Sequence, residues 1–130
     1  MTLMYIDLIL KSVVKPIFLD SYFDGNIKKV NKGDLIGKNK RISECYEWRL
    51  ITKEHNYIDT NDILKDFYKQ FSKNSDKVLN EIKSSNAKGY LYVVINRDSE
   101  QDEFSITLES EIIRFLCELN IEFVIDGIYQ

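Results

Sequence analysis

Residues 61–96 read NDILKDFYKQFSKNSDKVLNEIKSSNAKGYLYVVIN, a long amphipathic pattern followed at once by an apolar, aromatic run. Apolar residues recur at steps of three and four in the first part, which indicates one apolar stripe along a helix that packs on a sheet. The stripe is interrupted over Ser72–Ser75, where we expect a break or a kink. Asp59 or Thr60 is suited to cap the start of this helix.

Several strands are predicted around this helix. Residues 90–96 combine aromatic and β-branched side chains, which favours a central strand. Residues 3–10 and 44–53 alternate apolar and polar positions, as half-buried strands do. In the second of these, Trp48 lies on the face that we expect to reach the core.

The end of the chain repeats this order on a smaller scale. A short strand is predicted at 104–108, then a short helix around 112–119 that Thr107 or Ser110 caps. Asn120 is suited to the left-handed conformation that ends a helix. The last predicted strand covers 121–125, and its apolar face consists of Ile121, Phe123 and Ile125.

These elements predict an α+β fold with a mixed or antiparallel sheet and two helices packed on one face. The 130 residues, 44% of them hydrophobic, are enough for one core, so we expect residues 1–130 to form a single domain. Residues 12–43 have no clear periodicity. There we expect an edge strand and long loops.

Location and redox state follow from what the sequence lacks. No segment has the apolar length of a membrane span, and no signal peptide is recognisable at the start. We therefore expect a cytoplasmic protein with no membrane partner. Cys45 and Cys117 each lie in an apolar-patterned element, and we interpret both as inert packing thiols.

We expect no enzymatic activity, metal or cofactor. The only histidine, His55, lies on a polar turn, as solvated surface histidines usually do. One histidine and two distant cysteines do not have zinc-site spacing, and no glycine-rich turn leads directly into a helix as phosphate binding requires. An enzyme built on Asp126 is a weaker hypothesis, because strand alternation turns this carboxylate towards solvent or the strand end.

The charges suggest two binding hypotheses. The net charge is −3, and an acidic run contains Asp98, Glu100, Asp102 and Glu103. This run could steer a basic protein partner, such as a toxin domain that an immunity protein neutralises.

The alternative is a nucleic-acid or nucleotide binder that uses the basic segment 28–41. This segment has six cations and one acid. The cations are Lys28, Lys29, Lys32, Lys38, Lys40 and Arg41. The segment contains no aromatic residue for base stacking, and the rest of the chain is acidic, so we expect nucleic acid less than protein.

Several motifs resemble a bacterial family known as domain of unknown function 4279. They are Lys32-Gly33-Asp34, the basic residues 38–41, Trp48 within 47–50, the run 108–116, and Asp126 followed by Tyr129. The resemblance covers roughly residues 30–130 and implies the fold without an assigned activity. The family's short acidic helix after the first strand is not evident in residues 20–30. Lys32, Asp34, Trp48 and Asp126, which the motifs contain, complete the set of candidate binding residues.

Overall fold

A β-sheet with helices on one side forms the frame of the protein. The computed structural model describes residues 2–57, 60–98 and 105–129. In chain order, these residues form β1 (Leu3–Ser12), β2 (Asn26–Val30), β3 (Leu35–Ile36), β4 (Arg41–Ile42), β5 (Tyr46–Ile51), β6 (His55–Asn56), α1 (Thr60–Lys73), α2 (Ser75–Ser84), β7 (Lys88–Arg97), α3 (Ser110–Glu118) and β8 (Ile121–Tyr129).

The main sheet has the strand order β2-β5-β1-β7-β8, and the short β6 pairs with the start of β1. Neighbouring strands run antiparallel except β7 and β8, which are parallel. A parallel pair needs a crossover that returns the chain to its starting edge, and α3 lies in that crossover. The fold is therefore α+β with a mixed sheet, as the sequence predicts.

The two faces of this sheet differ because strand side chains alternate. On one face, called the helix face below, strand residues join the apolar side chains of all three described helices in one buried cluster. The strand residues of the cluster include Met4, Ile6, Leu8, Leu10, Trp48, Leu50, Leu91, Val93, Ile95 and Ile121. The register of β1 with β5 and β7 turns the intervening residues to the opposite side, called the open face.

The predicted long helix is two helices, so the prediction of two helices in all was wrong: the described residues form three. α1 ends at Lys73 and α2 begins at Ser75, with Asn74 between them in a non-helical conformation. The interruption lies within the predicted break. No apolar side chain in 72–75 holds the backbone against the sheet, and serine and asparagine offer the backbone competing hydrogen bonds.

Of the two residues predicted to cap α1, only Thr60 is among the described residues. Thr60 is its first residue, and its hydroxyl donates a hydrogen bond to the carbonyl oxygen of Tyr57. Asp59, the other predicted cap, lies outside the described residues. None of the helices in the described ranges has the length and apolar character needed to cross a bilayer.

Residues 12–43 contain more regular structure than the sequence indicates. A single 3-10 turn at Asp20–Tyr22 follows β1, where the short acidic helix of the family is not evident from the sequence. β2 then pairs along β5, and β3 and β4 form a separate two-stranded hairpin. Strands as short as β3 and β4 have too few residues to produce a recognisable alternation.

Two predictions near the end of the chain need correction, and a third is confirmed. Residues 105–109 form no strand, and Phe104 lies outside the described residues. The residue at the N-cap of α3 is Glu109 rather than Thr107 or Ser110. Asn120 does adopt the predicted left-handed conformation, with a φ of 56°.

The apolar face predicted for β8 is only partly buried. Burial decreases along the strand: Ile121 is buried, Phe123 is half-buried and Ile125 is exposed. β8 is an edge strand, and the apolar cover of the helix face reaches only its first part. The strand also continues beyond the predicted end at residue 125, to Tyr129.

Candidate functional site

The open face of the sheet is the surface that combines polar chemistry with a rigid support. Its side chains come from alternate positions of five strands, which the register brings side by side. They include Lys28, Glu47, Arg49, Ile51, Tyr5, Asp7, Ile9, Lys11, Lys88, Tyr90, Tyr92, Val94, Glu122, Val124 and Asp126. β1, β5 and β7 are paired with strands on both sides, so the side chains that they contribute project from backbone that is hydrogen-bonded on both sides.

A charged pair lies near the centre of this face. Arg49 Nε lies 3.3 Å from Asp7 Oδ1, and Arg49 Nη2 donates a second hydrogen bond to Asp7 Oδ2. Glu47 Oε1 lies 3.9 Å from Arg49 Nε. Only 7% of the Asp7 surface is exposed, so its carboxylate depends on this two-pronged contact in place of water.

Electrostatics strengthens this pair. The hydrogen bonds from Arg49 to Asp7 raise the pKa of Arg49 above its ordinary value, and the charges of Asp7 and Glu47 act in the same direction. Partial burial of Arg49 opposes this shift without cancelling it. The guanidinium therefore stays charged and serves as an organising group rather than as a proton donor or acceptor.

Three tyrosines surround the pair, all half-buried. Tyr92 pairs directly with Asp7 across β1 and β7, Tyr90 pairs with Ile9, and Tyr5 pairs with Val94. The rings of Tyr90 and Tyr92 lie 6.4 Å apart between centroids. Tyrosine offers both apolar ring area and a hydroxyl, and for this reason it is enriched at binding interfaces.

The charges of the open face are balanced. Among its described residues, the cations are Lys11, Lys28, Arg49 and Lys88, and the acids are Asp7, Glu47, Glu122 and Asp126. Besides the Asp7–Arg49 pair, Lys88 Nζ lies 3.2 Å from Glu122 Oε1. Lys88 Nζ also lies 5.9 Å from the centre of the Tyr90 ring. Such a face has no excess of positive charge with which to attract a phosphate backbone.

Of the four candidate residues in the acidic run, only Asp98 lies within the described residues. Asp98 comes directly after β7 and is exposed. Glu100, Asp102 and Glu103 lie outside the described residues. The first residue of β7 lies at the end of the sheet that is next to the hairpin of β3 and β4, and Asp98 follows its last residue. Asp98 and this hairpin therefore lie at opposite ends of the sheet.

The candidates that the family motifs contain do not converge. Trp48 lies on the helix face with 1% of its surface exposed, and its Nε1 donates a hydrogen bond of 2.9 Å to Asp20 Oδ1. Asp126 is exposed on the open face, on the other side of the sheet, as the alternation predicts. Lys32 and Asp34 are exposed on the turn before β3.

Asp34 and Asp20 have local structural roles. Asp34 Oδ2 accepts a hydrogen bond of 2.8 Å from the backbone N–H of Asn31 and so closes the turn. Asp20 Oδ2 lies 2.7 Å from Lys29 Nζ. The hydrogen bond from Lys29 lowers the pKa of Asp20, the bond from Trp48 adds to this effect, and partial burial opposes it.

The groups considered for catalysis are dispersed as well. His55 is exposed, as predicted, although it belongs to the two-residue strand β6 rather than to a turn. Cys45 is half-buried, but Cys117 is exposed on α3, so the interpretation of Cys117 as a packing thiol was wrong. Within residues 2–57, 60–98 and 105–129, no three His, Cys, Asp or Glu side chains form a group that could hold a metal ion.

Two cavities next to the apolar core are either too small or too weakly polar to indicate a ligand. A void of about 10 Å³ between the helices and the sheet has apolar walls and about the volume of one water molecule. A groove of about 430 Å³ beside Gly25 is open, and Asp24 and Lys53 are its charged residues. The open face therefore remains the best candidate for a functional surface.

The open face was not identified from the sequence. Its signal is present in retrospect, because Tyr5, Asp7 and Ile9 alternate along β1 and Tyr90 and Tyr92 alternate along β7. Local alternation does not tell which of two faces the helices cover. It also does not reveal that Arg49, 42 residues away, reaches Asp7.

Comparison with known proteins agrees with the motifs in the sequence. No curated protein and no solved structure matches this chain significantly. A family model described as a domain of unknown function (DUF4279) matches residues 27–129. This match contains the turn at Lys32, the strand with Trp48 and both strands of the parallel pair, and it covers most of the chain. The protein therefore belongs to the domain of unknown function 4279 family.

Proposed function

We propose that this protein is a non-enzymatic binding domain that recognises another protein through the open face of its sheet. The observation that carries the proposal is the cluster of half-buried Tyr5, Tyr90 and Tyr92 around the ion pair of the buried Asp7 with the half-buried Arg49. Tyrosine and arginine are the side chains most often found in the energetically dominant parts of protein interfaces. Their support on central strands limits the entropy that binding would cost.

The balance of charge supports a protein partner over a nucleic acid. A nucleic-acid surface needs unpaired cations that replace the counterions of phosphates. On the open face, Arg49 is paired with Asp7 and Lys88 with Glu122, and the two other cations, Lys11 and Lys28, are balanced in number by Glu47 and Asp126. Paired charges of both signs provide register and specificity at a protein interface instead.

In its more specific form, the proposal is that the protein is a bacterial cytoplasmic immunity protein and that its partner is a basic toxin domain. The net charge of −3 and the acids of the run 98–103 support a basic partner, because opposite charge speeds encounter. In this form the open face provides affinity, and the acidic run guides association. The two contributions are separable by experiment.

The proposal is tested by quantitative affinity capture from the native lysate, followed by titration calorimetry with the recovered partner. We expect Tyr90→Ser/Tyr92→Ser to weaken binding by more than about tenfold, because two large contact side chains are lost. Phe18→Ser is the matched control, since Phe18 is an aromatic residue that is 59% exposed and lies outside the open face.

Three results would count against the proposal. Equal retention of the partner by Tyr90→Ser/Tyr92→Ser and by the wild type would exclude the open face. Absence of any partner that the wild type retains above the level of an unrelated control protein would exclude protein binding. If a partner is recovered, co-expression tests the immunity form, which requires that this chain restores growth to cells that produce the partner.

A further inference from the structure

A hairpin at one end of the sheet combines exposed cations with exposed aliphatic side chains. This basic hairpin comprises residues 31–43 and joins β2 to β5 through β3 and β4. Its two arms are closed by hydrogen bonds from Gly33 N to Ser43 O, 2.9 Å, and from Ser43 N to Asp34 O, 2.8 Å. Its cations are Lys32, Lys38, Lys40 and Arg41, all of them exposed.

The charges of the basic hairpin do not balance one another. Its one acid, Asp34, bonds to the backbone N–H of Asn31 within the turn. The hairpin therefore carries a net positive charge in a protein whose overall charge is −3. A local excess of positive charge attracts ligands and surfaces of negative charge.

Aliphatic side chains lie beside these cations. Leu35 and Ile42 are paired across the hairpin, so they share one face, and they are 64% and 62% exposed. Lys11, near the end of β1, lines the same groove as Ile36 and Ile42, and the acids Glu44 and Glu47 line it as well. Val13 and Val14, which follow β1 at this end of the sheet, are 59% and 77% exposed.

We propose that this end of the protein docks peripherally on an anionic lipid bilayer. Lys32, Lys38 and Lys40 contact lipid phosphates and carboxylates, and Leu35, Ile42, Val13 and Val14 enter the interfacial region. Arg41 pairs with Ile36, so it lies on the other face of the hairpin and is not part of this contact. Juxtaposed cations and apolar side chains are the combination by which proteins bind to the surface of such a membrane. The proposal departs from the expectation of no membrane partner, which rested on the lack of spanning segments.

The aliphatic side chains favour a bilayer over a nucleic acid. Phosphates are contacted by the cations alone, and bases stack on aromatic rings, of which residues 28–41 have none. Leu35, Ile42, Val13 and Val14 would stay in water on a nucleic acid. A fluid bilayer also accommodates protruding side chains without a preformed complementary groove, which a folded protein partner would need.

Sedimentation with lipid vesicles tests the proposal. We expect the wild type to sediment with vesicles that contain phosphatidylserine and to stay in solution with pure phosphatidylcholine. Lys32→Ala/Lys38→Ala should weaken binding by at least about tenfold, since each cation near an anionic surface contributes about fivefold. Leu35→Ser/Ile42→Ser should weaken binding at unchanged charge. Far-ultraviolet circular dichroism and the emission of the buried Trp48 check that each variant is folded.

Matched controls come from the helix side of the protein. Lys69→Ala/Lys73→Ala removes two exposed cations of α1, and Ile113→Ser removes an exposed aliphatic residue of α3. Both should bind vesicles as the wild type does. The proposal is overturned by absence of binding to phosphatidylserine vesicles, by equal losses in the controls, or by full binding of Leu35→Ser/Ile42→Ser. It is also overturned if a single-stranded oligonucleotide binds more tightly and only the lysine variant reduces that binding.

Discussion

The two faces of β1 differ in burial and in the elements that they contact. In β1, Met4, Ile6, Leu8 and Leu10 are completely buried under the helices. Between them, Tyr5, Asp7 and Ile9 lie on the open face, where they contact strands but no helix of the apolar cluster. Alternation therefore gives one strand an apolar side that stabilises the fold and an amphipathic side available for binding.

Residues in the middle of the open face are buried by neighbouring strand side chains and not by the described helices. Asp7 and Val94 are 7% and 6% exposed although they are not part of the cluster that the described helices cover. They lie in the middle of the face, where neighbouring tyrosines and Arg49 exclude water. Substitutions on the two faces should therefore affect stability through different interactions.

The largest effect is expected from the helix face. The ring of Phe71 lies 4.6, 5.2 and 4.9 Å from those of Phe23, Phe67 and Phe115. Phe71→Ala should lower the free energy of unfolding by about 3–5 kcal/mol, because it leaves a cavity in a packed core. Urea denaturation measures this loss. Tyr90→Ala is the matched aromatic variant on the open face, and an equal loss there would contradict the difference between the faces.

The next largest effect is expected at the centre of the open face. Arg49→Met should cost about 2 kcal/mol, because it leaves the Asp7 carboxylate without its partner. The figure is below that of a fully buried pair, since 34% of the Arg49 side chain is exposed. Asp7→Val/Arg49→Met should recover most of the loss in urea denaturation. A double variant as unstable as the single one would show that Asp7 is not the source of the cost.

A smaller effect is expected from adding one methyl group to the helix face. A Cβ atom at Gly89 would lie 2.6 Å from Ile121 Cγ1 and 2.7 Å from Leu10 Cδ2. Gly89→Ala should therefore cost about 1 kcal/mol, at the lower end of the range for overpacking. Lys88→Ala, the adjacent residue on the open face, should change the free energy of unfolding by less than about 0.5 kcal/mol. Thermal and urea unfolding compare the two, and the reverse order would contradict the assignment of faces.

The smallest effect is expected at Asp20 and depends on pH. The hydrogen bond from Lys29 lowers the pKa of Asp20 below its ordinary value of 3.8. Its contribution to stability is therefore present above that pH and is lost as the pH falls through the lower folded-state pKa. Asp20→Asn should cost less than about 1 kcal/mol at neutral pH, because the side chain is exposed and screened.

Urea unfolding of Asp20→Asn and wild type at several pH values tests this sign. The difference between the two proteins should shrink as the solution becomes more acidic than pH 3.8, the ordinary pKa of the carboxyl group. A difference that grows with acidity would mean that Asp20 is stabilised in its neutral form. Asparagine retains an acceptor for Trp48, so the comparison isolates the charge.

Sequence patterns predicted those parts of the fold in which one element is long enough to repeat its period. The alternation around Trp48 assigned its buried face correctly, and the interruption over 72–75 coincides with the end of α1. Asn120 was identified as a left-handed residue because asparagine tolerates positive φ. The strands β3 and β4 were missed because two residues have no period.

The candidate site was predicted less well than the fold. The residues chosen from charge and motifs, such as Asp98 and Trp48, are distributed over an end of the sheet and its helix face. The open face depends on strand order and register, which join Tyr5, Arg49 and Tyr92 from three parts of the chain. The sequence alone does not show which strands pair, so it does not show that these three residues are neighbours.

By itself, the sequence determined the α+β class, the positions of the long strands and the apolar stripes of the helices. These properties depend on side chains within a few residues of one another, which propensity and periodicity describe. Only the tertiary structure decided that β8 runs parallel to β7, that Asp7 meets Arg49, and that Leu35 and Ile42 remain exposed beside cations. These features arise from contacts between distant segments, because the pairing of strands rather than their composition determines which side chains become neighbours.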